Sequence, residues 1–205
     1  LKICFFSFFS ILTGNAQTTM VATGTSWKYL DNGSNQGIAW YGTGFSDASW
    51  ASGNAQLGYG DGDEATTVSY GPSSSAKYIT TYFRKTISVA DASLFSNYTL
   101  NVKRDDGVVV YINGVEKYRE NMPSGTITYT TAAAGTCSDD GANFLTTTLA
   151  SGSLATGTNV IAVEIHQVNG SSSDISFDLS LIGNPAGGGA TLTRGAYLHK
   201  GTPTS

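Results

Sequence analysis

The residue types able to do chemistry in this chain fall in a few short stretches. Tyr59-Gly-Asp-Gly-Asp-Glu64 sets Asp61, Asp63 and Glu64 in a Gly-rich loop, and Arg104-Asp-Asp-Gly107 places Asp105 and Asp106 before an apolar run. Calcium takes about six to eight oxygen ligands, and clustered acids in a flexible loop supply several of them. The Asp61 loop lacks EF-hand spacing. Two readings therefore stand about evenly for Asp61, Asp63 and Glu64: a structural Ca2+ site, or Asp-Gly turn chemistry in which Asp caps its own backbone. For Asp105 and Asp106 the turn is preferred. Glu164 and His166 lie two apart on one strand face, as a base and its orienter would, although a hydrogen-bonded pair on a sheet is favoured. No Gly-x-Ser-x-Gly elbow accompanies them, and Cys137 sits in a loop, Gly135-Thr-Cys-Ser-Asp-Asp-Gly141, with no motif beside it. No pair of carboxylates can be placed across a cleft as a glycosidase requires. The chain thus carries no catalytic constellation of its own. Trp27, Tyr29, Trp40, Tyr41, Phe45 and Trp50 crowd the first part. Exposed aromatic faces stack on sugar rings, which makes Trp27, Tyr29, Trp40 and Trp50 candidate glycan-binding residues; the competing reading, preferred for each Trp taken singly, is core packing.

The elements that must position these residues read as strands. Lys77–Val89 is rich in β-branched and aromatic residues, Tyr98–Lys103 alternates, and Val108–Ile112 is a continuous apolar run ending in Asn113-Gly114, the strongest short hairpin signal. Val115–Tyr118 returns from that turn. Thr126–Thr130 and Phe144–Thr148 are further strand candidates. In Asn159–Gln167, Ile161, Val163 and Ile165 share one face, while Ala162, Glu164 and His166 share the other. Ile175–Ile182 closes the set with Ile175, Phe177, Leu179 and Leu181 on one face. Ala90–Phe95 suits a single turn of helix, and no segment sustains helical periodicity. Many short strands separated by turn signals point to an all-β sandwich or barrel.

Composition agrees. Charged residues are 13% of the chain, against about 25% in ordinary soluble domains, and Gly, Ser and Thr fill the difference, which excludes a helical bundle. Leu1–Leu12 is a short apolar run behind Lys2, followed by small residues suited to cleavage after Ala16, and reads as a signal peptide over 1–16. It is too short to span a bilayer. Export to the cell surface, periplasm or medium is the expected localisation, with no membrane insertion after cleavage. Cleavage removes Cys4, leaving Cys137 unable to form an intrachain disulfide. It also removes Lys2 and no acid, so the net charge of −4 becomes −5. A mildly acidic chain without a basic cluster is not expected to bind nucleic acid or an anionic membrane. Residues 17–25 form a polar lead-in, 26–183 the sandwich, 184–190 a Gly-rich linker, and 191–205 the truncated first strand of a following domain.

Taken together, Trp27–Gly33, Phe45–Trp50, Leu57–Glu64, Tyr82-Phe-Arg-Lys85, Asp105–Gly114, Gly157–Gln167 and Ser172–Asp178 resemble the galactose-binding-like jelly-roll modules of large exported bacterial proteins. The resemblance covers nearly all of 26–182 and implies a two-sheet antiparallel jelly roll, though not galactose as ligand. Arg194-Gly-Ala-Tyr-Leu-His-Lys-Gly-Thr-Pro-Thr-Ser205 is similar to the opening of the fibronectin-like domain of purple acid phosphatases, from which Ala196 and His199 depart. This implies a parent metallophosphoesterase whose dinuclear metal centre lies beyond Ser205. The expected function is a non-catalytic accessory module, binding glycan or packing on neighbouring domains of its own chain; the alternative is a structural spacer in a surface protein with no ligand.

Overall fold

The computed structural model describes residues 16–187. The apolar run read as a signal peptide, the linker from 188 onward and the opening strand at 191–205 lie outside the described residues. In chain order the strands are β1 (Thr18–Val21), β2 (Ser26–Leu30), β3 (Ala51–Asn54), β4 (Leu57–Tyr59), β5 (Thr66–Thr67) and β6 (Thr80–Val89). They continue with β7 (Phe95–Asp105), β8 (Gly107–Ile112), β9 (Val115–Glu120), β10 (Leu145–Ala150), β11 (Gly157–His166) and β12 (Ile175–Pro185). One sheet runs β10-β7-β12-β4-β5, with β1 also on β12; the other runs β3-β2-β6-β11-β8-β9. Pairing is antiparallel apart from the short parallel β4–β5 contact. This is an all-β, two-sheet jelly-roll sandwich, as the resemblance over 26–182 implies and as one of the two architectures open to the strand pattern.

Side-chain alternation fills the space between the sheets. Ile175, Phe177, Leu179 and Leu181 of β12 face Ile161, Val163 and Ile165 of β11 across one core. Phe177 is 0% exposed, stacks on Phe83 at 4.2 Å and meets Trp27 edge-on at 5.0 Å. The continuous apolar run of β8 has a different cause: Val108, Val110 and Ile112 enter this core, while Val109 and Tyr111 enter a second cluster on the outer face of the sheet. A strand covered on both faces loses its alternation. The cover is a layer of loops, from the stretch between β2 and β3 and from the stretch after β9.

The predicted hairpin forms at Asn113-Gly114, with φ of 52° and 85°, both in the left-handed region that a two-residue hairpin turn needs. The helical turn expected near Ala90–Phe95 is a 3-10 turn at Ala92–Leu94, capped where the Ser93 amide donates to Asp91. Thr126–Thr130 is not a strand. The Thr128 amide donates to Thr131 Oγ1 at 2.9 Å, the Thr131 amide returns to the Thr128 carbonyl, and the Tyr129 carbonyl accepts from Thr80 Oγ1. Those backbone groups are therefore unavailable to a ladder. Conversely, the polar lead-in contains β1, whose Thr18 pairs with Gly183, and β12 runs two residues into the stretch read as linker.

Phe177→Ala is expected to lower the unfolding free energy by about 3–5 kcal/mol in urea titration, because the Trp27 and Phe83 rings of the facing sheet close on it. A loss under about 1 kcal/mol would show that the core collapses onto the gap.

Candidate functional site

The loop layer is tied to the sheet by Arg84. Strand β6 sends Phe83 inward and Tyr82 and Arg84 outward, where the Arg84 side chain is buried beneath the β2–β3 connection. Its guanidinium donates to the Trp40 carbonyl, to the Gly42 and Phe45 carbonyls at 3.3 and 3.4 Å, and to Asp47 Oδ2 at 3.0 Å. It also lies 5.2 Å from the Phe45 ring centre, close enough for a cation–π contact. One side chain thus satisfies carbonyls that a loop leaves without partners. Held this way, Trp40 packs on Tyr82 at 4.7 Å and stacks near Trp50, and Tyr41 lies flat on Tyr111 at 4.3 Å.

Beside this aromatic layer opens a cleft of about 720 Å3, walled by residues of the β2–β3 loop and by Thr126–Thr130 after β9. Tyr41 and Tyr111 line it, with Ile38, 75% exposed, at its edge. Glu164 reaches it from β11, and the Glu116–Arg119 ion pair, 2.7 Å, also lines it. Tyr111 donates to Glu164 Oε1 at 2.7 Å; burial first, then the Glu164 carboxylate, drives the phenol pKa far above its ordinary value. His166 is enclosed behind Glu164. Its Nδ1–H donates to the Thr131 carbonyl at 2.7 Å, while Nε2 lies 3.3 Å from Glu164 Oε2 without hydrogen-bond geometry. The two residues read as a pair are in contact, and only Glu164 of the two lines the cleft. Chemically the cleft offers aromatic rings, hydroxyls and a carboxylate acceptor, a set that suits a ligand with many hydroxyl groups.

The four aromatic residues expected to form one sugar platform are divided between two layers. Trp27 is core, 1% exposed, because Trp27 and Tyr29 share the inward face of β2; Tyr29 is half-buried against the same cluster. Trp40 and Trp50 belong to the outer layer, yet are only 2% and 5% exposed. Tyr41 there is half-buried, with Tyr111 beneath it, and Tyr129 is the exposed ring of the cleft's other wall. Tyr111 was hidden in the β8 apolar run, and the signal for it was a lone polar-tipped ring in an otherwise aliphatic strand.

The acidic residues assemble at one end of the sandwich. In the Asp61 loop, both Glu64 oxygens accept backbone N–H groups, from Asp61 and Gly62 at 3.0 Å, and Asp63 accepts from Gln56. Glu64 thus takes part in the turn chemistry of its own loop. Asp106 is buried and served by the Cys137 and Val168 amides and the Ser172 hydroxyl. Asp105, equally buried, has its carboxyl pushed up to about 9, by burial first, then by its hydrogen bond with Asp174 and the charges of Asp106 and Asp174. These acids do more than the turn expected of Asp105 and Asp106. Two sets of carboxylates could hold a metal ion: Asp61, Asp63 and Glu64, and Asp61, Asp140 and Asp174. Asp140 and Asp174 were missed because nothing in the sequence ties them to Asp61. The Cys137 thiol is raised to about 11, first by burial and then by its bond to Asp139, so it is not a thiolate at neutral pH.

No protein-family model matches this chain, and no curated protein matches it. Among solved structures it is similar to a Bacteroides uniformis beta-glucuronidase, with a TM-score of 0.55 and 15% identity over 83% of this chain and 18% of that one. It is similar also to an uncultured Clostridium sp. beta-glucuronidase, at 0.51 and 13% over 88% of this chain and 31% of that one. A glycosyl hydrolase family 2 member from Bacteroides cellulosilyticus matches at 0.52 and 12% over 82% and 20%. These likenesses show the sandwich fold. The chain spans between about a fifth and a third of the length of these enzymes.

Arg84→Met is expected to lower stability by about 3–5 kcal/mol, because it leaves the Trp40, Gly42 and Phe45 carbonyls without their donor, at about 1–3 kcal/mol for each buried group left unsatisfied. Asp47→Asn is expected to cost about 1 kcal/mol, since the carboxylate is partly exposed and water can replace it. Urea unfolding followed by tryptophan fluorescence measures both. Equal losses would make the Asp47 ion pair, rather than the carbonyl cradle, the dominant bond.

Proposed function

We propose that this chain is a non-catalytic accessory module that holds a glycan in the cleft over the outer face of the second sheet. The observation that carries this reading is the cleft itself, where the stacked Tyr41–Tyr111 pair stands beside a hydrogen-bonded Glu164 and the hydroxyls of Thr126–Thr130. Carbohydrate sites combine ring faces with a few fixed polar groups in this way. The similar structures support a carbohydrate-related setting, since those proteins are glycosidases and this module's counterpart is a minor part of each. Glu164 acts as an acceptor for sugar hydroxyls, and His166 behind it fixes the floor.

The Arg194–Ser205 resemblance supports placing the module ahead of a metallophosphoesterase, and the run at 1–16 supports export. A continuing sequence without a metallophosphoesterase ligand pattern would remove the phosphoesterase parent and leave the glycan reading intact.

The chain is expected to bind at least one neutral or acidic polysaccharide in affinity electrophoresis. Tyr41→Ala should weaken that binding at least about tenfold, as loss of an aromatic anchor does, while Trp27→Phe, in the core, should leave it unchanged. Absence of binding across a broad polysaccharide panel would sink the glycan reading and favour a spacer that has no ligand.

A further inference from the structure

The acidic end of the sandwich shares no lining residue with the cleft, and what it holds is independent of any glycan. Asp174 lies one residue before β12, where Ile175 pairs with Tyr59 of β4. That register starts the Asp61 loop alongside Asp174. Gly60 makes the approach feasible: its φ is +114°, and a Cβ there would come within 2.5 Å of the Asp174 Cβ, so only glycine fits. Asp140 arrives from the loop before β10. One carboxylate oxygen from each of Asp61, Asp140 and Asp174 lies within 4.8 Å of the others.

Clustered acids are common on surfaces, and the observation that points to a ligand here is Asp174 itself. It is 3% exposed; Oδ1 accepts from the Ser173 hydroxyl, and Oδ2 is buried and takes no hydrogen bond from an amide, a hydroxyl or a cation. Among the described residues, no cationic side chain pairs with Asp61, Asp105, Asp140 or Asp174. Lys77 is engaged by the Ser172 and Ser173 carbonyls and lies 5.3 Å from the Tyr59 ring centre. Asp106, buried to the same degree, shows the contrast, with amide donors at 2.7 and 2.9 Å. The Asp105 carboxyl also reaches Asp174, yet one acid supplies no positive charge to another, and a buried carboxylate without a counter-charge is strongly unfavourable.

The geometry points to a divalent-cation site held by Asp61, Asp140 and Asp174, with calcium as the ion. The donors are all oxygen and two of them sit on exposed loops, which suits the large, adaptable coordination shell of calcium better than the strict octahedron of magnesium. Ser176 Oγ donates to Asp61 Oδ2 at 3.0 Å and orients that carboxylate. Asp63 and Glu64, already engaged by Gln56 and by the loop's own amides, shape the Asp61 loop instead of binding the ion.

The test uses the full chain, stripped with chelator and titrated with calcium chloride alone, read by thermal unfolding and calorimetry. Calcium is expected to raise the unfolding midpoint, because a native-state ligand stabilises by mass action, and magnesium at equal concentration to raise it less. Asp140→Asn, at an exposed position, should leave the metal-free midpoint unchanged and weaken calcium binding at least about tenfold. Asp174→Asn should abolish the calcium shift and, in chelator, melt no lower than the unsubstituted chain, since it removes a buried unpaired charge. If that variant does not fold, Asp140→Asn alone decides. A midpoint indifferent to calcium would overturn the site. So would a calcium shift that survives Asp140→Asn and disappears in Asp63→Asn.

Discussion

The outer half of this molecule depends on a single cation buried in a bed of carbonyls. Arg84 projects from β6 on the face opposite Phe83 and draws the Trp40, Gly42 and Phe45 carbonyls and the Asp47 carboxylate onto the second sheet. Arginine suits the task because its planar fork offers several donors in fixed directions. The β2–β3 connection carries little regular structure, only a 3-10 turn at Ala39–Tyr41, and cannot satisfy its own backbone. With the guanidinium in place, the indoles of Trp40 and Trp50 cover Tyr82, Val109 and Ala162. Tyr41 is then set flat on Tyr111, and one wall of the cleft exists.

The same division of labour repeats at the acidic end. There the sheet registers, rather than a side chain, do the gathering. Pairing of Ile175 with Tyr59 and of Ser176 with Asp105 brings residues far apart in the chain to one edge of the sandwich. The cleft collects rings and hydroxyls around the Glu164 carboxylate, while the acidic end collects carboxylates with no cationic partner among the described residues. Both combine loops with the outward or terminal side chains of strands whose inward side chains are occupied in the core.

The strands from Lys77 onward are legible in the sequence because each follows one rule clearly. Ile175, Phe177, Leu179 and Leu181 alternate inward, and Asn113-Gly114 can hardly be anything but a tight turn. Strands β2 to β5 are short and rich in Gly, Ser and Thr, so periodicity has no length in which to appear. Thr126–Thr130 has strand-like composition, yet the neighbouring Thr131 and the distant Thr80 capture its polar groups, and competition from a distant hydroxyl leaves no local trace. The sites are legible only in part for the same reason. Asp61 and Glu164 announce themselves by type and spacing. Their partners Asp174, Asp140 and Tyr111 come from other elements, and only pairing registers and sheet order bring them together. Trp27 and Trp40 look alike in sequence; the alternation of β2 turns Trp27 into the core, while Arg84 holds Trp40 in the outer layer.

The two ends of the described chain lie side by side. Thr18 pairs with Gly183, and Gln17 Nε2 donates to Asn184 Oδ1 at 2.8 Å. Because β1 and β12 run antiparallel, a tensile load entering through residue 17 and leaving through residue 186 pulls perpendicular to their shared ladder. The hydrogen bonds then open in succession, like a zipper, instead of resisting together in shear. Under such a load the module yields first at this seam, while the buried strands β6, β7, β8 and β11 remain out of the line of force. Hung this way, it behaves as a pendant on the chain rather than a link in it.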